Sequence, residues 1–262
     1  MAVSEIHLNG TYSLGRRSSF NIIIPENITG PVPVLYLLHG MSDDHTAWTR
    51  WSSVERHVEG LPLIVVMPDA ELSFYTDSKV DPRLAFETYL TRDLIGFVDR
   101  TFPTVADRSG RAVAGLSMGG YGAAKLALKH PDLYCAAVSF SGALLAASKP
   151  INQDDADWKR FRTSLFGETP VGGPDDVLAL LKSSDAASRP ALRIDCGTED
   201  FLYHDNVLAH QELVKLGIEH EYNERPGEHN WAYWDQAIVD ALPFLKRELN
   251  IKKPVADSTT GE

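Results

Sequence analysis

The 262-residue sequence predicts an α/β fold, a mostly parallel central sheet with helices on both faces, and three observations carry that prediction. Short β-branched and aliphatic runs alternate with stretches whose apolar residues recur at helical spacing. Residues 32–38 and 61–67 are nearly continuous in apolar content, as strands covered on both faces are. Gly115-Leu116-Ser117-Met118-Gly119 lies between an apolar run and a small-residue helical stretch, so it reads as strand, tight turn, helix.

In chain order, residues 18–24, 32–38 and 61–67 are strands bounded by Pro, Gly and Asn. Residues 84–100 place Leu84, Tyr89, Leu90, Leu94, Phe97 and Val98 at helical spacing, and Phe102-Pro103 closes that helix. Residues 111–116 form the strand entering the tight turn, 121–130 the helix leaving it, and 135–140 the next strand. A strand at 191–196, a helix at 203–216 closed by Gly217, a strand at 219–224 and a helix at 231–249 complete the alternation. The first one or two strands are expected to form an antiparallel edge. Between Gly142 and Pro190 the rhythm breaks, and residues 143–190 read as an insertion carrying short helices, a small cap over the site. Residues 1–251 are expected to form one domain, and the polar tail 252–262 to be disordered.

Apolar residues make up 44% of the chain, enough for a large core on both sides of a sheet. No apolar run approaches bilayer length, and the formal charge of −11 opposes general attraction to nucleic acid or anionic membrane. Met1 to Gly10 include Glu5, His7 and Asn9 and lack a basic head followed by an apolar core, which implies a cytoplasmic product. Cys135 and Cys196 each sit in an apolar strand-like run outside any C-x-x-C pair. They are expected to be buried, reduced thiols with no zinc or redox role.

The strand-turn-helix setting of Ser117 is that of a nucleophile elbow, in which a strained turn lifts the hydroxyl above the sheet edge. A serine hydroxyl needs a base in hydrogen-bond reach, itself oriented by a carboxylate, and in α/β-hydrolases these follow in the order Ser, acid, His. Asp200 lies just past strand 191–196 and His229 just past strand 219–224, where parallel strands deliver loops to the same sheet edge as Ser117. Glu199 or Asp195 are alternatives for the acid, Asp195 disfavoured by lying within the strand. Among the other histidines, His130 ends a helix, His204 and His210 lie on one, His220 starts a strand, and His7 and His57 have no motif around them. Asp43, Asp44 and His45, adjacent in a polar loop, read as a solvated turn rather than a metal site. For the tetrahedral oxyanion, the expected donors are the backbone N–H of Met118, at a helix N-terminus, and that of Met41, in the loop after the second strand, with His39 supporting that loop.

Five stretches in order, Leu37-Leu38-His39-Gly40-Met41-Ser42-Asp43-Asp44-His45 with Trp48, Ser73-Phe74-Tyr75-Thr76-Asp77, Gly115 to Gly122, Cys196 to Leu202 and Pro226-Gly227-Glu228-His229-Asn230-Trp231, are spread over most of the chain, from about residue 32 to 235. Together they resemble the esterase D superfamily, in particular its tributyrin, acetyl and feruloyl esterases. The resemblance implies a serine carboxylesterase with an α/β-hydrolase fold and no cofactor or metal. Ser117 would be nucleophile, His229 base, Asp200 its orienter, and Met41 and Met118 the oxyanion donors. The chain departs from the commoner Pro-Gly-Gly-His pattern by carrying Glu228 before His229. The expected partner is a small-molecule ester with a short acyl chain, acetyl or feruloyl included. S-formylglutathione hydrolase-like thioester hydrolysis, acyl transfer and a ligand-binding protein on the same scaffold are the alternatives. Trp48, Phe74, Tyr75, Trp158 and Phe161 are the expected walls of the substrate pocket. A homo-oligomer is compatible with the sequence.

Overall fold

The computed structural model describes residues 1–9, 11–150 and 155–252. Its strands are β1 (Ala2–Leu8), β2 (Ser18–Ile24), β3 (Val34–Leu38), β4 (Ile64–Pro68), β5 (Arg111–Leu116), β6 (Ala136–Phe140), β7 (Ala191–Gly197) and β8 (Glu221–Arg225). They form one sheet in the order β1-β2-β4-β3-β5-β6-β7-β8. From β4 to β8 every pairing is parallel, whereas β2 pairs antiparallel with both β1 and β4. The expected antiparallel edge is therefore present, but β1 was not legible as a strand. Ala2 to Glu5 are all exposed, so β1 has no buried face whose alternation sequence periodicity could report.

The continuous apolar runs follow from burial on both faces. Val34, Tyr36 and Leu38 of β3 point into one core with Val113 and the sheet-facing side of the helix α5 (Met118–Lys129). Leu35 and Leu37 point into the other, with Ala112, Ala114 and the helix α9 (Trp231–Glu248). The helices α1 (Ala47–Trp51) and α2 (Val54–Val58) lie on the α9 face.

The helix expected at 84–100 is interrupted. It consists of α3 (Phe86–Thr88), a π-turn over Tyr89–Leu94 and α4 (Ile95–Thr101), with Tyr89, Leu90, Leu94, Ile95 and Val98 buried. The segment read as a cap carries α6 (Ala156–Phe166) and α7 (Val177–Ser183), which pack into the α5-side core through Leu165, Phe166, Val177 and Leu181. Asp155 and Asp176 cap these two helices with their carboxylates. The helix α8 (Tyr203–Lys215) adds Ala209 and Leu213 to the same core. The thiols are free; Cys196 is buried, whereas Cys135 is half-buried just before β6. Residues 253–262 of the tail read as disordered lie outside the described residues.

Candidate active site

Between β5 and α5 the chain reverses in a single residue. Ser117 adopts φ 55° and ψ −115°, a conformation that costs of order 1–3 kcal/mol for a residue with a side chain. Backbone hydrogen bonds help to fix it there: Ser117 N–H donates to the Phe140 carbonyl at 2.9 Å, and the Ser117 carbonyl accepts from Ala143 at 3.0 Å. The turn also needs glycine on both sides. A Cβ on Gly115 would fall 2.5 Å from the Gly119 backbone, and one on Gly119 would fall 2.6 Å from the Leu38 carbonyl.

The loops after β7 and β8 bring two more groups to this edge. His229 Nε2 lies 3.0 Å from Ser117 Oγ, and His229 Nδ1 lies 2.8 and 3.0 Å from the two carboxylate oxygens of Asp200. A Nδ1–H donated to Asp200 leaves the Nε2 lone pair facing the serine hydroxyl. Asp200 also accepts from Leu202 N–H at 2.7 Å. Burial alone would raise its carboxyl, but the bonds from His229 and Leu202 outweigh that and hold it below the ordinary aspartate value. The imidazole is packed between Phe201, with ring centroids 4.4 Å apart, and Trp234, edge-on at 4.8 Å, whose indole N–H donates to Ser141.

The other two candidate acids are engaged elsewhere. Asp195 is fully buried and accepts from Tyr233 Oη at 2.6 Å, Asn223 at 2.7 Å and Arg193 at 3.3 Å. Glu199 accepts from Gly227 N–H while its own N–H donates to the Gly227 carbonyl, so it ties the loop carrying Asp200 to the loop carrying His229.

Met118 opens α5, so its N–H points out of the helix N-terminus. Gly40 lies beside the serine: a Cβ there would sit 3.8 Å from Ser117 Cβ. The next residue, Met41, is 46% exposed. Among the described residues, neither the Met41 nor the Met118 N–H donates a backbone hydrogen bond. The strand end before Met41 is held by side chains. Trp48 Nε1 donates to the Leu38 carbonyl at 3.0 Å and Tyr75 Oη to the His39 carbonyl at 2.8 Å. His39 Nε2 accepts from Ala70 N–H at 3.0 Å and Nδ1 reaches the Gly40 carbonyl at 2.7 Å, while burial pushes the imidazole below the ordinary histidine value.

The five aromatics expected to wall a pocket separate into two groups. Trp48 is buried on the α9 side against Trp231 and Phe140, and Tyr75 is fully buried on the α5 side. Both are corrected from pocket walls to core residues whose polar tips hold backbone carbonyls. Phe74, Phe161 and Trp158 do form a row, with centroids 6.2 and 5.2 Å apart, but Phe74 is 6% exposed and packs on Tyr121 and Phe166. Trp158 alone of the five is well exposed. Phe201, Ser141 and Trp234 went unread in the sequence; the one available signal was that Phe201 directly follows Asp200.

Among the described residues no cluster of three or more His, Cys, Asp or Glu side chains is placed to hold a metal ion. No described helix is long and apolar enough to cross a membrane.

With this geometry in place, a family model described as "Putative esterase" matches residues 11–245. The chain belongs to this esterase family. An acetyl esterase from Caldicellulosiruptor saccharolyticus is 28% identical to it over 222 residues, 81% of this chain and 83% of that one. The chain also matches two esterases of Mycobacterium tuberculosis, of whose length it spans 54%. Among solved structures, S-formylglutathione hydrolase from Staphylococcus aureus is 30% identical with a TM-score of 0.80, the match covering 94% of this chain and 99% of that one. A ferulic acid esterase is 27% identical with a TM-score of 0.80, over 95% and 98% of the two chains. This esterase is a carboxylic ester hydrolase with the α/β-hydrolase fold.

Proposed function

We propose that this esterase hydrolyses short-chain acyl esters through an acyl-enzyme formed on Ser117. The observation that carries the reading is the unbroken run of hydrogen-bond distances from Asp200 through His229 to Ser117 Oγ, 2.8 and 3.0 Å. In this mechanism His229 Nε2 takes the hydroxyl proton as Ser117 Oγ bonds to the ester carbonyl carbon. The negative charge that moves to the carbonyl oxygen is met by the N–H groups of Met118 and Met41. Collapse breaks the bond to the alcohol oxygen, which leaves with the proton held on His229. A water then gives its proton to His229 and attacks the acyl carbon, and the acid departs as the proton returns to Ser117. Asp200 stays ionised throughout, fixing the imidazole tautomer and stabilising the imidazolium.

The short acyl chain is supported by the likeness to an acetyl esterase. The likeness to S-formylglutathione hydrolase supports a second reading, thioester hydrolysis by the same steps with a thiolate leaving. A rate profile over p-nitrophenyl esters from acetyl to octanoyl, with methyl ferulate and S-formylglutathione alongside, decides between them. The proposal expects kcat/KM to be highest for the shortest oxygen esters. A profile in which only the thioester turns over at a useful rate contradicts it.

A further inference from the structure

Phe201 is the most exposed phenylalanine among the large apolar side chains at the surface, 75% open to solvent, and it lies against the base of the triad. Its ring and the His229 imidazole have centroids 4.4 Å apart and planes tilted by 48°. Trp234 meets the same imidazole edge-on but is itself 5% exposed, so the apolar surface offered beside His229 is that of Phe201. A phenyl ring left in water forgoes most of the stabilisation its burial would bring, and burying it against an apolar ligand recovers that stabilisation.

The chemistry fixes which part of an ester meets this ring, on the reading that His229 passes its proton to the leaving oxygen. That oxygen must come within about 2.6–3.2 Å of Nε2. The carbonyl oxygen is directed instead to the Met41 and Met118 N–H groups. The alcohol portion therefore lies at the imidazole, and Phe201 is the imidazole's exposed neighbour. We propose that Phe201 is a specificity-determining residue that receives a flat apolar or aromatic group on the alcohol side of the ester.

Three esters separate this from its rivals: methyl acetate, benzyl acetate with the ring on the alcohol, and methyl 3-phenylpropionate with the ring on the acyl group. In Phe201→Ala, kcat/KM for benzyl acetate should fall about 3- to 10-fold further than for methyl acetate, the size of one aromatic pair contact. The phenylpropionate should track methyl acetate, and Phe201→Trp should preserve the preference for benzyl acetate. An equal fall for all three esters would show that the ring only orients His229. A selective fall for the phenylpropionate would put the ring on the acyl side, and no change would show that it touches nothing. Each of these overturns the proposal. Loss of the Ser117 mechanism itself reads differently, because a Ser117→Ala protein would then hydrolyse all three esters as fast as the wild type.

Discussion

In the proposed mechanism Asp200 acts through His229, the base. Its carboxylate accepts from Nδ1 and from the Leu202 N–H, so the imidazole is held with its free nitrogen 3.0 Å from Ser117 Oγ. Removing the base should cost more than removing the group that orients it, because the oxyanion donors and a mobile imidazole still act when Asp200 is neutralised. On p-nitrophenyl acetate, His229→Ala should lower kcat by about a millionfold and Asp200→Asn by about ten-thousandfold. Full activity in Asp200→Asn together with a collapse in Glu199→Gln would move the acid by one position. At this scale the sequence was most informative where chemistry and topology coincide. Ser117, Asp200 and His229 each follow a strand end, and few residue types suit each role. Trp48 and Tyr75 misled because an aromatic near the site reads the same whether its ring faces a ligand or the core. What decides the matter for them is a hydrogen bond to the Leu38 or His39 carbonyl, which leaves no mark on residue identity.

The elements behind the site are joined by a buried ionic cluster. Lys125 of α5 is fully buried and donates to Glu87 of α3 at 2.7 Å and to the Tyr75 carbonyl at 2.5 Å. Lys129 bridges Glu87 and Asp175, at 2.9 and 3.0 Å, and His130 and Lys79 complete the cluster. Helix α5, which carries the elbow at its start, is thereby tied to α3, to the segment preceding α7 and to the turn whose tyrosine holds the His39 carbonyl. A Cβ on Gly122 of α5 would fall 2.4 Å from the Tyr75 ring, so that glycine admits the tyrosine. Burial alone would raise the Glu87 and Asp175 carboxyls, but the charges of Lys125 and Lys129 and the bonds to them outweigh it, holding Glu87 well below and Asp175 below its ordinary value. Carboxyls depressed in the folded state add stability that is present above the unfolded value, near pH 4, and lost as the pH falls through the folded value. Melting temperature should therefore fall steeply below about pH 4. Glu87→Gln should lose about 3–5 kcal/mol at pH 7, because it leaves Lys125 buried without its nearest carboxylate. The variant should also show a shallower acid slope in denaturant titrations at pH 7 and pH 3. Equal slopes in both proteins would contradict this account. None of the cluster was legible beforehand. Its members are far apart in sequence, and a lysine on a helix reads as solvated until the packing around it is known.

Across the whole molecule, the parallel part of the sheet makes three sequence-distant loops converge. The chain from β3 to β8 runs in one direction, so the ends of β5, β7 and β8 open on one edge, and the residues after them meet there. Strand β3 brings Gly40 and Met41 to the same place. The alternation of strands and helices carried this architecture into the sequence because both sheet faces are buried, leaving nearly continuous apolar runs. The edge strand β1 and the π-turn escaped for the complementary reason: one lacks a buried face, and the other keeps a helical apolar pattern while changing its hydrogen bonding. The central claim is that this convergence makes Ser117 a nucleophile, and acid-quenched intact mass after mixing with p-nitrophenyl acetate tests it most directly. The wild-type protein should release a burst of p-nitrophenol stoichiometric with enzyme and carry an acetyl group on Ser117, and Ser117→Ala should show neither. Equal turnover by the two proteins, or an acetyl group found on another residue of the wild type, would contradict the account.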